Sequence, residues 1–149
     1  MSDSSASEND SEMMSTDNQK FILLVEDEPC LRKLLKKALE RKGYNVLEAS
    51  DGLEGKNLFD SQQEKINLII SDVRMAGMDG AELLQYIRTI SNVPFIMNTG
   101  FSGIIDPLGA AVKGASFYLP KPFKVEALLS AVAKLTVPDE PEEAQQVAE

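Results

Sequence analysis

Five side chains with the right chemistry stand where apolar runs end. Asp72 closes Leu68-Ile69-Ile70 and is followed at once by turn residues, with Gly77, Asp79 and Gly80 close behind. Glu26 and Asp27 close the run Phe21-Ile22-Leu23-Leu24-Val25, Thr99 follows Phe95-Ile96-Met97, and Lys121 follows Phe117-Tyr118-Leu119. Carboxylates crowded at one point raise one another's pKa unless a cation sits between them. The chain has no histidine and a single cysteine, Cys30, which excludes the common zinc sites, histidine-based catalysis and an internal disulfide. Oxygen donors then select a hard cation, Mg2+ or Mn2+, with Glu26, Asp27, Asp72 and the backbone carbonyl of Arg74 as the available ligands. A carboxylate so placed can attack phosphorus to give an acyl phosphate, with the Lys121 ammonium and the Thr99 hydroxyl holding phosphoryl oxygens. Taken alone, Asp72 reads more simply as a turn or capping residue, so the elements around it have to decide.

Those elements alternate. Continuous apolar runs suit strands buried on both faces of a parallel sheet. They are expected at 21–25, Tyr44–Leu47, Leu68–Asp72, Val93–Met97 and Ser116–Leu119. Between them, Leu31, Leu34, Leu35, Ala38 and Leu39 recur at helical spacing after Pro29, opposite a basic face (Arg32, Lys33, Lys36, Lys37, Arg41, Lys42) read as solvated surface, and Gly43 ends that helix. Ser50 or Asp51 caps a second helix to about 62, weakened by Gly55. Asp79 and Glu82 form a capping box for a third helix carrying Leu83, Leu84, Ile87 and Ile90. Asp106-Pro107 starts a short fourth helix to Lys113, and Val125, Leu128, Leu129, Val132 and Leu135 make a fifth. This α/β pattern specifies a doubly wound, flavodoxin-like (βα)5 sheet, five parallel strands in order 2-1-3-4-5 with helices on both faces. The crevice lies at the carboxyl ends of strands one and three, where Glu26, Asp27 and Asp72 meet.

At 149 residues and 43% hydrophobic content the chain holds one domain plus tails. The net charge of -9 belongs to the ends: residues 1–18 and 138–149 carry ten acidic and no basic side chains, leaving 15 basic against 14 acidic between them. Both ends are expected to be disordered, flanking a domain at 19–137. That charge argues against nucleic-acid binding, and the lack of a long apolar run or secretory leader predicts a cytoplasmic protein with no membrane contact. The Cys30 thiol is read as buried or inert.

Glu26-Asp27, Ser71-Asp72-Val73-Arg74-Met75, Met78-Asp79-Gly80, Thr99-Gly100 and Tyr118-Leu119-Pro120-Lys121-Pro122-Phe123 together resemble the receiver domain of two-component response regulators, over about residues 20–136. The resemblance implies a signalling phosphoacceptor rather than an enzyme, fed by a histidine kinase or phosphotransfer protein. By it, Asp72 takes the phosphoryl group, Glu26 and Asp27 bind Mg2+, Lys121 binds phosphate, Thr99 and Tyr118 are the switch pair, and Arg74 and Phe101 set the lifetime of the phospho-form. It also implies a cis Lys121–Pro122 bond. Output would run through the surface of the fourth helix, fifth strand and fifth helix to a downstream protein partner or relay. The molecule is then a stand-alone, chemotaxis-type receiver, monomeric or weakly dimeric when phosphorylated. Ala76, Phe117 and the late start of the fourth helix depart from the family pattern. Two rivals are a receiver that docks its partner without phosphorylation and a phosphohydrolase of the haloacid dehalogenase type. The latter needs a second acid where this chain has Arg74.

Overall fold

A computed structural model describes residues 21–75, 77–99 and 114–136, with Thr99 described by its backbone alone. The two acidic ends, the expected helix at 106–113, Ala76, Gly100, Phe101 and the expected domain edges at 19 and 137 lie outside the described residues.

The chain runs β1 (Phe21–Val25), α1 (Pro29–Arg41), β2 (Asn45–Ala49), α2 (Gly52–Gln62), β3 (Ile66–Asp72), α3 (Gly80–Arg88), β4 (Phe95–Thr99), β5 (Phe117–Pro120) and α4 (Val125–Leu135). All strand pairings are parallel and the order is β2-β1-β3-β4-β5, as the alternation of elements predicted. Successive side chains on a strand point to opposite faces, so each strand feeds two cores. Leu23, Val25, Ile69, Phe95 and Met97 pack with Phe59 of α2 and Leu83, Leu84 and Ile87 of α3. Ile22, Leu24, Leu68, Ile70 and Ile96 pack with Leu35 and Leu39 of α1 and with Leu128, Ala131 and Val132 of α4. Asp72 stands two residues beyond Ile70 and therefore belongs to the α1/α4 face of the sheet.

Boundaries moved where tertiary pairing outweighed local pattern. β2 runs to Ala49 rather than stopping at Leu47, because Val25 pairs with Ala49. β3 starts at Ile66, β4 starts after Pro94 and runs to Thr99, and β5 ends on Pro120. Asp51 is the α2 cap, accepting from the Glu54 amide, and the Asp79–Glu82 capping box is formed in both directions. Ile90 is corrected: α3 ends at Arg88 and Ile90 lies beyond it, 43% exposed. Leu34 leaves the apolar stripe of α1 in the same way, at 53% exposure. Gly55 does not merely weaken α2: a β-carbon there would meet Val25 Cγ2 at 2.9 Å, so its small size lets α2 lie close to β1. Cys30 is exposed rather than buried.

Candidate functional site

The carboxyl ends of β1, β3 and β5 converge on one ammonium. Lys121, just past β5, donates from Nζ to Asp72 Oδ2 at 3.1 Å and to Glu26 Oε1 at 3.4 Å. One carboxylate oxygen from each of Glu26, Asp27 and Asp72 lies within 4.8 Å of the others. Glu26 and Asp72 are buried while Asp27 is exposed, so the cluster has closed walls and one open side.

Local structure explains the placement. The Glu26 amide continues the β1–β2 ladder by donating to the Ala49 carbonyl at 3.0 Å. Its Oε2 accepts from the Glu28 amide at 3.2 Å, and its carbonyl accepts from Arg32 Nη1 at 2.7 Å. Pro29, at the first position of α1, turns the chain away just after the acids. Asp72 ends β3 opposite Asn98, and the Val73 amide donates to the Asn98 carbonyl at 2.8 Å. Past it the turn closes when the Gly80 amide donates to the Val73 carbonyl at 2.8 Å. Gly77 adopts φ +71° within that turn. At Gly80 any β-carbon would collide with the Asp72 carbonyl, so only glycine lets α3 begin this near the acid.

Burial sets the electrostatics. It pushes the Asp72 carboxyl above the ordinary range, Lys121 pulls it back, and the Asp27 charge pushes it up again. Glu26 is raised by burial first and by the Asp72 charge second, against the pull of Lys121 and the Glu28 amide. For Lys121 burial opposes the charge, yet the Asp72 and Glu26 carboxylates outweigh it and hold the ammonium above its usual value. Two raised acids beside a third, with only oxygen donors and an open side for water, fit a hard divalent cation. Its charge would relieve the repulsion that one lysine leaves uncancelled.

Residues 22–133 match the response regulator receiver domain. This chain belongs to that family. Receivers are signalling phosphoacceptors of two-component systems rather than classical enzymes, and they work with histidine kinases or phosphotransfer proteins and with downstream partners. A probable transcriptional regulator of Guillardia theta, ycf27, is 40% identical over 118 residues, 77% of this chain and 46% of the relative. The chain spans about half the length of the curated relatives it matches. Among solved structures, a response regulator receiver domain protein from Clostridium thermocellum superposes with TM-score 0.73 at 27% identity, covering 87% of this chain and 99% of that one. The response regulator TrrA from Thermotoga maritima, solved in complex with Mg(2+)-BeF, gives TM-score 0.71 at 34% identity, covering 78% and 99%.

Of the residues expected in the receiver's site, Glu26, Asp27, Asp72 and Lys121 are brought together. The Lys121–Pro122 bond is cis, as the family resemblance implied. Arg74 is exposed in the turn after β3. Thr99 ends β4 opposite Pro120, on the same edge of the sheet. Tyr118 is half-buried against the α2/α3 core, while Phe117 is 40% exposed. Sequence reasoning missed Arg32, assigned to a solvated face, and Glu48, which accepts from Arg32 Nε at 3.2 Å. The available signal was position: Arg32 lies in the first turn of the helix that follows the acidic pair. Among the described residues no helix is long and apolar enough to cross a membrane.

Proposed function

We propose that this receiver accepts a phosphoryl group on Asp72 from the phosphohistidine of a histidine kinase or phosphotransfer protein. The observation that supports the reading is the bridge from Lys121 Nζ to Asp72 and Glu26, which brings two buried carboxylates and an ammonium into one cleft. An Asp72 carboxylate oxygen forms the new bond to phosphorus, the P–N bond breaks, and its electron pair leaves with the imidazole. Glu26, Asp27, Asp72 and the Arg74 carbonyl would hold Mg2+ or Mn2+, which when bound neutralises charge on the phosphoryl oxygens. Lys121 moves from pairing two carboxylates to pairing a phosphoryl oxygen, and the Thr99 hydroxyl donates to another.

The donor is a protein on this reading, because Leu31, Leu34, Pro122, Phe123 and Val125 line an apolar groove that reaches Lys121 at the mouth of the site. The added charge draws Thr99 inward, Tyr118 shifts with it, and the surface formed by β5 and α4 changes its partner preference between two states. The bulk of Arg74 and Phe101, each two residues past a site residue, slows attack by water on the acyl phosphate. Radiolabelled acetyl phosphate or phosphorylated kinase with Mg2+ should label the wild type and not Asp72→Asn. Equal labelling of both would overturn the assignment, and a label lost within seconds would overturn the role given to Arg74 and Phe101.

A further inference from the structure

The acidic pair Glu26-Asp27 sits in a loop that like charges push apart, so something must hold its backbone. Hydrogen bonds within the sheet stop at the Glu26 amide, which reaches Ala49. The Glu26 carbonyl instead accepts from Arg32 Nη1 at 2.7 Å. Arg32 is itself held: its Nε donates to Glu48 Oε1 at 3.2 Å, and Glu48 Oε2 takes Lys36 Nζ at 3.0 Å. Arg32 is only 18% exposed and Glu48 31%, so the contacts are sheltered from water. One guanidinium thus ties the β1–α1 loop, the first turn of α1 and the middle of β2 to one another. The planar fork suits this task, because two of its N–H groups point in fixed directions at once.

We propose that Arg32, anchored by Glu48, is a positioning residue that fixes the Glu26 carbonyl and so aims the Glu26 and Asp27 carboxylates at the place Asp72 also faces. This rests on reading the acidic cluster as a divalent-cation site. The sign of the effect separates positioning from the alternatives. Deleting a nearby positive charge should tighten binding of a divalent cation by simple Coulomb attraction, and a purely structural residue would lower thermal stability without moving affinity. Loss of aim does the reverse of the first and more than the second, weakening the site about tenfold, as removal of outer partners of metal ligands does.

The test is Mn2+ affinity of the full chain by water-proton relaxation, for wild type, Arg32→Gln, Arg32→Lys and Lys36→Gln. Arg32→Gln should bind about tenfold more weakly. Arg32→Lys keeps the charge but cannot span both acceptors, so it should also weaken, by less, and it serves should Arg32→Gln fold poorly. Lys36→Gln loses the same charge, touches Glu48 but not Glu26, and should bind as well as wild type or better. Unchanged or tighter binding by both Arg32 variants, or equal weakening by Lys36→Gln, overturns the proposal. A wild type that binds no Mn2+ sinks the cation-site reading instead. Exchange of the Glu28 amide in the metal-free chain then judges the brace: about tenfold faster exchange in Arg32→Gln supports it, and an unchanged rate overturns it.

Discussion

Replacing Lys121 with methionine keeps its volume and removes the one cation that the described structure places between Glu26 and Asp72. At 3.1 Å and 3.4 Å, each ion pair has a gross attraction of about 5 kcal/mol at an effective dielectric constant near 20. The Lys121 side chain is 22% exposed, so screening and dehydration of the ammonium take back much of that. Breaking such a partly buried pair should leave a net loss of about 3 kcal/mol in the metal-free protein at pH 7.5, roughly 10 °C in Tm. The loss depends on pH with a definite sign. Both acids already have folded pKa values above their ordinary ones, with Lys121 pulling them down, so removing it raises them further. An acid with a raised folded pKa costs nothing while protonated in both states, below about pH 4. Its cost grows as pH climbs from the ordinary value to the folded one and is constant above it. The raised pKa of Lys121 comes from the same two carboxylates, so it favours the wild type only where they are ionised, and up to alkaline pH, where the ammonium begins to deprotonate. Urea unfolding in EDTA at pH 4 and pH 7.5 checks this: wild type and Lys121→Met should nearly coincide at the first and differ at the second. Equal differences at both pH values, or one below about 1 kcal/mol at pH 7.5, would refute the electrostatic account.

The same logic gives Asp72→Asn the opposite effect. It should stabilise the metal-free chain at pH 7.5, because burial makes the ionised carboxyl costlier there than in the unfolded chain, with the gain fading toward pH 4 in urea titrations. Gly80→Ala ought to stabilise an ordinary helix by up to about 1 kcal/mol. Here the new β-carbon meets the Asp72 carbonyl, so thermal unfolding should instead report a loss of about 2 kcal/mol, and a raised Tm would contradict the close approach.

Much of this receiver was legible before any coordinates. Apolar runs of strand length alternating with helical periodicity pointed to the parallel sheet, because crossovers are right-handed and must cover both faces, and the flavodoxin-like pattern supplied the strand order. Asp51 and the Asp79–Glu82 pair announced their helix starts, since capping uses residues three apart in the chain. Acids at strand ends could be placed near one another for the same reason: strand ends share an edge. Local pattern carries no distance across the sheet, however. Only the register of β1 on β3, and of β4 on β3 and β5, decided that Lys121 reaches both Asp72 and Glu26. Only the tertiary structure decided that Glu26 is buried and the adjacent Asp27 exposed. Arg32 looked like one more solvated base because periodicity reports which face a residue occupies, whereas its task depends on a carbonyl six residues back and a carboxylate on β2. Gly55 carried a propensity penalty in the sequence and Gly80 read as a turn residue, and their use became visible only as space shared with Val25 and Asp72. The sequence by itself thus determined the order of elements and the chemistry available at their ends, which are properties of neighbours along the chain. The tertiary structure decided burial, ion pairing and close approach, which arise between segments far apart in it.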